Sequence, residues 1–133
     1  MTPALDLTDR VALVTGGTKG IGRSIAEHLL EAGGSVALCA RTESEVQAVA
    51  AELGGRALGI ACDVADPAAC AGMVERTVAH FGRLDILVNN AGLGVFKPLA
   101  EMTVEEWQLQ IDVNLGGVFY CSKAALPLPR RER

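Results

Sequence analysis

A glycine-rich segment near the N-terminus has the residue types and spacing needed to hold a phosphate group. Residues 15–22 read Thr-Gly-Gly-Thr-Lys-Gly-Ile-Gly and directly follow the apolar run Val11–Val14. Glycines let backbone N–H groups come close to a phosphate, and the start of a following helix supplies unpaired donors and the positive end of its dipole. A strand, a glycine turn and a helix in this order predict a binding site for the pyrophosphate of a dinucleotide.

Polar residues also follow two later apolar runs. Asp63 and Val64 come directly after the run 57–62, and residues 89–92, Asn-Asn-Ala-Gly, end the run that starts at Leu84. Ligands of doubly wound sheets bind at the carboxyl ends of the strands, so these segments and the glycine turn are expected to converge on one crevice. Alternatively, Asp63 is a surface-turn or N-cap carboxylate. The asparagines Asn89 and Asn90 are expected both to line the crevice and to steady the end of the strand by loop hydrogen bonds.

The charges near the second apolar run bear on the choice of dinucleotide. An NAD site places a carboxylate at the end of the second strand, where it accepts a hydrogen bond from the ribose 2′-OH. Here the run 35–40 is followed by Arg41, and Lys19 in the glycine turn directs a second positive charge to the same region. A guanidinium and an ammonium suit a 2′-phosphate. NADP(H) is therefore predicted over NAD(H), unless Arg41 is an ordinary solvated residue at a helix start.

Alternating strand and helix patterns must position these residues. Short apolar runs predict strands, and helical periodicity between them predicts helices. The predicted strands are Val11–Thr15, Ser35–Ala40, Ala57–Cys62 and Leu84–Asn89, and the predicted helices are Gly20–Ala32, Glu43–Leu53, Pro67–Phe81 and Thr103–Leu126. Asp66 before Pro67 is typical of an N-cap, and Thr103 with Glu106 of a capping box. The alternation predicts right-handed βαβ units, hence an α/β fold with a parallel sheet covered on both faces.

Composition narrows the class of protein. The 133 residues carry a net charge of −4, and the only basic tract is at residues 130–133, which disfavours nucleic-acid binding. No uncharged stretch reaches the length of a membrane span, and residues 1–10 lack an apolar leader, so no membrane partner and a cytoplasmic location are expected. The four cysteines match no metal-ligand spacing, so buried reduced thiols and no metal site are predicted.

Four segments together resemble the classical branch of the short-chain dehydrogenase/reductase family. The sequences TGGTKGIG, CDV, NNAG and VNLGG stand in that family's order and spacing, and the resemblance covers nearly the whole chain. It implies that residues 1–133 form the N-terminal part of an NAD(P)-binding Rossmann domain, a doubly wound parallel sheet truncated to the strand order 3-2-1-4. It also implies an oxidoreductase that transfers hydride between NADP(H) and a small carbonyl or secondary-alcohol substrate.

The resemblance implies roles for the matching residues. The glycine turn would surround the pyrophosphate, and Thr15 would tie this turn to residues 89–91. Asp63 would bind the adenine amino group, and residues 90–92 would bind the adenosine ribose. Asn114 matches the family's catalytic asparagine, which distorts its helix and holds a water in a proton relay; alternatively it bonds only to nearby backbone. The implied cofactor-binding residues are Thr15, Gly16, Thr18, Lys19, Gly20, Ile21, Gly22, Arg41, Asp63, Val64, Asn90, Ala91 and Gly92.

The rest of the family's catalytic set has no match in this chain. Carbonyl reduction in the family needs a Ser and a Tyr-x-x-x-Lys pair, which normally lie beyond the point where this chain stops. Tyr120 is the single tyrosine, and Ala124 stands four residues after it. Six helical steps place Tyr120 about 120° around the axis from Asn114, so it is expected to pack at a helix interface. The C-terminal catalytic half is therefore expected to be absent, and the enzyme catalytically incomplete.

The missing half also leaves surfaces uncovered. The fourth strand is expected to lie at the edge of the sheet, and the last helix, which forms a dimer interface in the family, is expected to support a homo-oligomer. Two other hypotheses remain open at this stage. One is a non-catalytic NADP(H)-binding or regulatory fragment that pairs with a full-length relative, and the other is a poorly folded gene remnant.

Overall fold

A computed structural model describes residues 4–129, and the basic tract at 130–133 lies outside them. In chain order its elements are β1 (Val11–Thr15), α1 (Gly20–Glu31), β2 (Ser35–Ala40), α2 (Glu43–Leu53), β3 (Ala57–Ala61), α3 (Pro67–Phe81), β4 (Ile86–Val88), a 3-10 turn (Leu99–Glu101), α4 (Val104–Ile111), a π-helical segment (Asp112–Gly116) and α5 (Gly117–Ala125).

The strands form one parallel sheet in the order β3-β2-β1-β4, which confirms the predicted fold and strand order. Leu13 of β1 stands opposite Ala37 of β2 on one side and Leu87 of β4 on the other. Because all strands run in the same direction, their carboxyl ends meet at one edge. The glycine turn, Arg41, Asp63 and the loop 89–92 all leave the sheet at that edge.

Helices cover both faces of the sheet. Alternate strand residues pack in opposite directions: Leu13 and Ile60 belong to a core cluster with α3 and α5, whereas Val14 and Val36 pack against α1. α2 covers the β2–β3 side through Val46. The small apolar residues of the strands thus form the buried, close-packed sheet that the sequence predicts.

Local signals set most of the helix ends. The Asp66 carboxylate accepts hydrogen bonds from the N–H groups of Ala68 at 3.0 Å and Ala69 at 3.4 Å, as predicted for the cap of α3. Gly82 ends that helix with φ +86°, a left-handed conformation that glycine adopts without strain. Thr103 and Glu106 form the predicted capping box at the start of α4.

The prediction of a single helix over Thr103–Leu126 is wrong. The helix is divided into α4 and α5 by the π-helical segment, whose middle residue is Asn114. The Asn114 amide bonds to both backbone groups of Leu93, 2.8 Å from the nitrogen and 2.8 Å from the carbonyl oxygen. We infer that this tie to a loop outside the helix, with glycines at 116 and 117, stabilises the wider turn.

The predicted fourth strand is also too long. β4 holds only residues 86–88; before it the Asp85 N–H still donates to the Val11 carbonyl at 2.9 Å, whereas after it the backbone bonds elsewhere. The N–H of Val11 bonds to the Asp85 carboxylate at 2.9 Å, and the Asn90 N–H turns to the Thr15 hydroxyl at 3.0 Å. Within residues 4–129 β4 is an edge strand, as expected, and it borders an open groove of about 680 Å³ shared with α5.

Candidate dinucleotide-binding site

A groove of about 350 Å³ lies at the carboxyl edge of the sheet, where the sequence predicts the site. Its walls come from the glycine turn, the ends of β2 and β3, and the loop after β4. The predicted cofactor residues that line it are Gly16, Thr18, Lys19, Arg41, Asp63, Val64, Asn90, Ala91 and Gly92. The remaining predicted residues, which support the turn or lie beside the groove, are Thr15, Gly20, Ile21, Gly22 and Asn114.

The glycine turn is tightly packed against the loop after β4. Gly16 has φ +64° and Gly20 has φ +60°, both in the left-handed region that disfavours other residues. A Cβ on Gly22 would lie 2.3 Å from Asn90 Nδ2 and 2.3 Å from the Gly16 carbonyl oxygen. The packing therefore demands glycine at position 22, whereas Gly20 has open space around it and needs glycine only for its conformation.

Hydrogen bonds tie this turn to the loop. The buried Thr15 hydroxyl oxygen accepts bonds from the N–H groups of Asn90 at 3.0 Å and Ala91 at 2.9 Å. In return Asn90 Nδ2 donates to the carbonyls of Thr15 and Gly16, each at 3.1 Å. Thr15 and Asn90 thus hold two sides of the groove at a set separation before any ligand arrives.

The start of α1 offers unused donors beside the turn. Lys19 occupies the N-cap position, and no side chain caps the first turn of the helix. The adjacent Ile21 is 76% exposed. Uncapped N–H groups at a helix start are a ready site for an anion, because they combine free donors with the positive end of the dipole.

Two cations border the end of the groove near β2. Lys19 and Arg41 are exposed and line the groove, and within residues 4–129 neither forms an ion pair. Sequence reasoning missed the half-buried Glu45, whose carboxylate lines the same groove and accepts a bond from the Thr18 hydroxyl at 2.7 Å. The acidic first turn of α2 was the signal available. The groove therefore carries the positive charges of Lys19 and Arg41 at its entrance beside the negative charge of Glu45, and a second negative charge on Asp63.

Asp63 has a structural contact as well as a place in the groove. Its carboxylate accepts a bond from the Ala65 N–H at 3.0 Å, the turn role that the sequence left open. Val64 beside it is buried, and its Cγ2 would lie 2.9 Å from a Cβ on Gly117. The wall at the end of β3 is thus held by α5 from behind.

Asn114 lies next to the groove rather than in its lining. Both polar atoms of its amide bond to Leu93, which does line the groove. In this arrangement Asn114 holds the loop 90–93 against the π-helical segment. Tyr120, in contrast, packs partly buried against the core cluster of α3 and α5.

Neither a metal site nor a membrane-spanning helix is found in the part of the chain that the structure describes. Among residues 4–129, no group of three or more His, Cys, Asp or Glu side chains is arranged to hold a metal ion. No helix in that range combines the length and apolar character needed to cross a bilayer.

Comparison with known proteins agrees with this geometry. The FabG reductase of Escherichia coli, a 3-oxoacyl-acyl-carrier-protein reductase, is 40% identical over 129 residues, which are 97% of this chain and 53% of that protein. A short chain dehydrogenase from Burkholderia cenocepacia in complex with NADP is 40% identical with a TM-score of 0.87, over 92% of this chain and 51% of that one. A 3-ketoacyl-(acyl-carrier-protein) reductase from Brucella melitensis complexed with NADH is 33% identical with a TM-score of 0.88, over 92% of this chain and 50% of that one.

The chain spans about half the length of the curated FabG reductases it matches, with 53% of the Escherichia coli protein covered. The sequence model that describes the family matches residues 10–133, which is most of the chain. Together with the strand order and the groove at the carboxyl edge, this match establishes that the chain belongs to the short chain dehydrogenase family.

Proposed function

We propose that this chain binds NADP(H) in the groove and forms the nucleotide-binding half of an oxidoreductase. The pyrophosphate would lie over the glycine turn, the adenine against Asp63 and Val64, and the ribose against residues 90–92. The observation that carries the proposal is the convergence of segments from the ends of all four strands on one groove. One of these segments is the glycine turn, in which the packing at position 22 accepts only glycine.

The preference for NADP(H) rests on the two cations at the groove entrance. Among residues 4–129, Lys19 and Arg41 have no ion-pair partner that a 2′-phosphate would need to displace. Hydrogen bonds to charged groups contribute about 1.5–3 kcal/mol each. Glu45 opposes the phosphate from the α2 side and Asp63 lines the same groove, so the net preference depends on two attractions against two repulsions. The solved relatives include complexes with NADP and with NADH, so they favour neither choice.

The reaction class we propose is the family's: hydride transfer between NADP(H) and a carbonyl or secondary alcohol. The bound nicotinamide would supply or accept the hydride. The residues of this chain would bind and orient the dinucleotide, and Asn114 would hold the loop beside it. The sequence contains one tyrosine, Tyr120, with Ala124 where a Tyr-x-x-x-Lys pair has its lysine. We therefore propose that the 133-residue chain alone binds the cofactor without turning over substrate.

A cytoplasmic location belongs to the same proposal. The four cysteines are buried and unpaired, which suits a compartment that keeps thiols reduced.

Nucleotide binding is tested by thermal unfolding with NADPH and with NADH. At about 100 times its Kd, a ligand stabilises the folded state by about 2.7 kcal/mol. We expect such a shift with NADPH and a smaller one with NADH at equal concentration. Arg41→Ala should weaken NADPH binding by roughly 10- to 100-fold, because one charge-assisted contact is lost. The same substitution should weaken NADH binding by less than about twofold.

Arg76→Ala is the matched control for this test, because Arg76 is an exposed arginine on α3 outside the groove. It should leave both affinities unchanged. NADH binding as tight as NADPH binding would refute the cofactor preference. No shift with either dinucleotide would refute the proposed function itself.

A second candidate function is a non-catalytic regulatory fragment that pairs with a full-length relative. The observation that favours it is a set of exposed apolar side chains along α4, the π-helical segment and α5: Trp107 is 52% exposed, Leu115 65% and Phe119 59%. Exposed apolar patches of this kind mark protein–protein contacts. Sedimentation of the chain alone and mixed with a full-length relative distinguishes self-association, hetero-association and a monomer.

A further inference from the structure

Residues 93–97 leave the candidate groove and lie against α4 without forming a helix or a strand. Among residues 4–129, no hydrogen bond between two backbone groups involves this segment. Three side chains hold it instead, spaced four residues apart on α4 and the π-helical segment. Their connections are Asn114 to Leu93, Gln110 to Val95 and Glu106 to Lys97. The segment therefore runs antiparallel to the helix, and every second residue of it faces the helix.

Burial along the segment agrees with this arrangement. Leu93 and Val95 are half-buried, whereas Gly94 between them is exposed and Phe96 is 96% exposed. Helix residues four apart share one face, so the three connecting side chains reach the segment from the same side. Residues 93–97 thus form a wall that is fixed against α4 on one side and open to solvent on the other.

Gln110 makes the middle connection, and it is the best shielded of the three. Its Oε1 accepts a bond from the Val95 N–H at 3.1 Å in a part-buried position, whereas the bonds of Asn114 and Glu106 to the segment are exposed. Its Nε2 donates to the Glu106 carbonyl at 3.1 Å and to Met102 Sδ at 3.5 Å. These contacts set the orientation of the amide, so its oxygen points at Val95 before any ligand binds.

The order of the strands indicates which part of a dinucleotide would pass this wall. In the proposed binding mode the adenine lies against Asp63, which follows β3, and the pyrophosphate lies over the glycine turn, which follows β1. Because the strands stand in the order β3-β2-β1-β4, the rest of the dinucleotide would extend from β1 toward β4. Leu93, the first residue of the wall, lines the groove on that side. The nicotinamide nucleotide would therefore lie beside residues 93–97.

We propose that Gln110 is a positioning residue for the nicotinamide half of the dinucleotide. By holding Val95, it keeps residues 93–97 in one arrangement, so the wall does not have to be ordered when the nucleotide binds. Gln110 is not among the residues that line the groove, so it acts through the segment. This inference rests on the proposed function and adds to it a residue that affects one half of the ligand.

The test compares two ligands by titration calorimetry: NADPH, and adenosine 2′,5′-bisphosphate, which lacks the nicotinamide half. Gln110→Met keeps the approximate size of the side chain and removes the acceptor for the Val95 N–H. It should weaken NADPH binding by about three- to tenfold, the size expected for the loss of one hydrogen bond. The affinity for the bisphosphate should change by less than about twofold. Equal weakening of both ligands would indicate a general structural role, and no change in either would indicate no role; both results would overturn the proposal.

Gln108→Met is the matched control, because Gln108 is exposed on the same helix and bonds to Asp112 rather than to the segment. It should leave both affinities unchanged, and a loss of NADPH affinity equal to that of Gln110→Met would overturn the proposal. Gln110→Glu keeps an acceptor for the Val95 N–H, so the ratio of its two affinities should stay within about twofold of the natural chain's. A ratio equal to that of Gln110→Met would overturn the assignment to this hydrogen bond.

Amide exchange of the natural chain decides the question if Gln110→Met does not fold or if the bisphosphate binds too weakly to titrate. Saturating NADPH should then slow exchange of the Val95 amide by at least about threefold, and unchanged exchange would overturn the proposal. Failure of this inference and failure of the proposed function can be told apart. If the natural chain does not bind NADPH, the proposed function is refuted and this inference with it. If the natural chain and Gln110→Met bind NADPH equally tightly, the proposed function stands and the inference about Gln110 alone is refuted.

Discussion

Replacing Gly22 with alanine tests whether the close packing of the glycine turn, rather than the usual cost of glycine in a helix, decides the stability at this position. The new methyl group would lie 2.3 Å from Asn90 Nδ2 and 2.3 Å from the Gly16 carbonyl oxygen, far inside van der Waals contact. Asn90 could move away only by giving up its 3.1 Å bonds to the carbonyls of Thr15 and Gly16. The substitution therefore distorts the turn or breaks its tie to the loop after β4.

The expected cost follows from these contacts. Overpacking costs about 1–3 kcal/mol, and two lost hydrogen bonds add about 1 kcal/mol each. Replacing glycine by alanine in a helix returns at most about 1 kcal/mol. Gly22→Ala should therefore lower the free energy of unfolding by about 2–4 kcal/mol. Gly72→Ala, in helix α3 with open space around the new methyl group, should raise it by up to about 1 kcal/mol.

Urea unfolding of the two variants measures this difference, with the fluorescence of the single tryptophan, Trp107, as the probe. The thermal shift with NADPH is measured alongside and should be lost in Gly22→Ala and retained in Gly72→Ala. If Gly22→Ala is as stable as Gly72→Ala and binds NADPH equally well, the argument that this turn builds the site is refuted.

Three further perturbations test other contacts of the site and fold. Glu45→Gln removes the negative charge at the groove entrance and keeps an acceptor for Thr18, so titration calorimetry should show NADPH bound about two- to fivefold tighter; weaker binding would contradict this. The Lys97 ammonium and the Thr103 N–H hold the pKa of Glu106 at about 2, below its ordinary 4.5. The stabilisation is therefore present above pH 4.5 and is lost as pH falls toward 2, so the difference in urea stability between the natural chain and Glu106→Gln should shrink over that range. A difference independent of pH would contradict this assignment. Asn114→Ala removes two exposed hydrogen bonds to the loop 90–93 and should cost about 1–2 kcal/mol and speed amide exchange in that loop; unchanged exchange would refute its positioning role.

Helices whose ends are set by residues adjacent to them in the sequence were predicted well. The bounds of α2 and α3 agree with the sequence prediction, because glycines follow both helices and Asp66 with Pro67 starts the second. The order 3-2-1-4 came from the resemblance to the short-chain dehydrogenase/reductase family, and the groove at the carboxyl edge from the alternation and the glycine turn. Capping residues, glycines and the alternation of strand and helix patterns act within short stretches of the chain, so they can be recognised from the sequence without knowledge of the fold.

Contacts between distant segments were not predictable in the same way. The interruption at Asn114 depends on its bonds to Leu93, and the early end of the fourth strand depends on the bond from the Asn90 N–H to the Thr15 hydroxyl. Glu45 enters the site only because α2 packs beside the glycine turn. No local pattern indicates such partners, because their distance is set by how whole elements pack.

The sequence by itself thus determined the class of fold, the glycine turn and the positive charges beside it. Each depends on residue type at a fixed spacing, and glycine conformation and helix dipoles act locally. Only the tertiary structure decided that further side chains share the groove: the carboxylate of Glu45 and the thiols of Cys39 and Cys62. Those residues meet because parallel strands end at one edge and the packed helices fix the remaining distances.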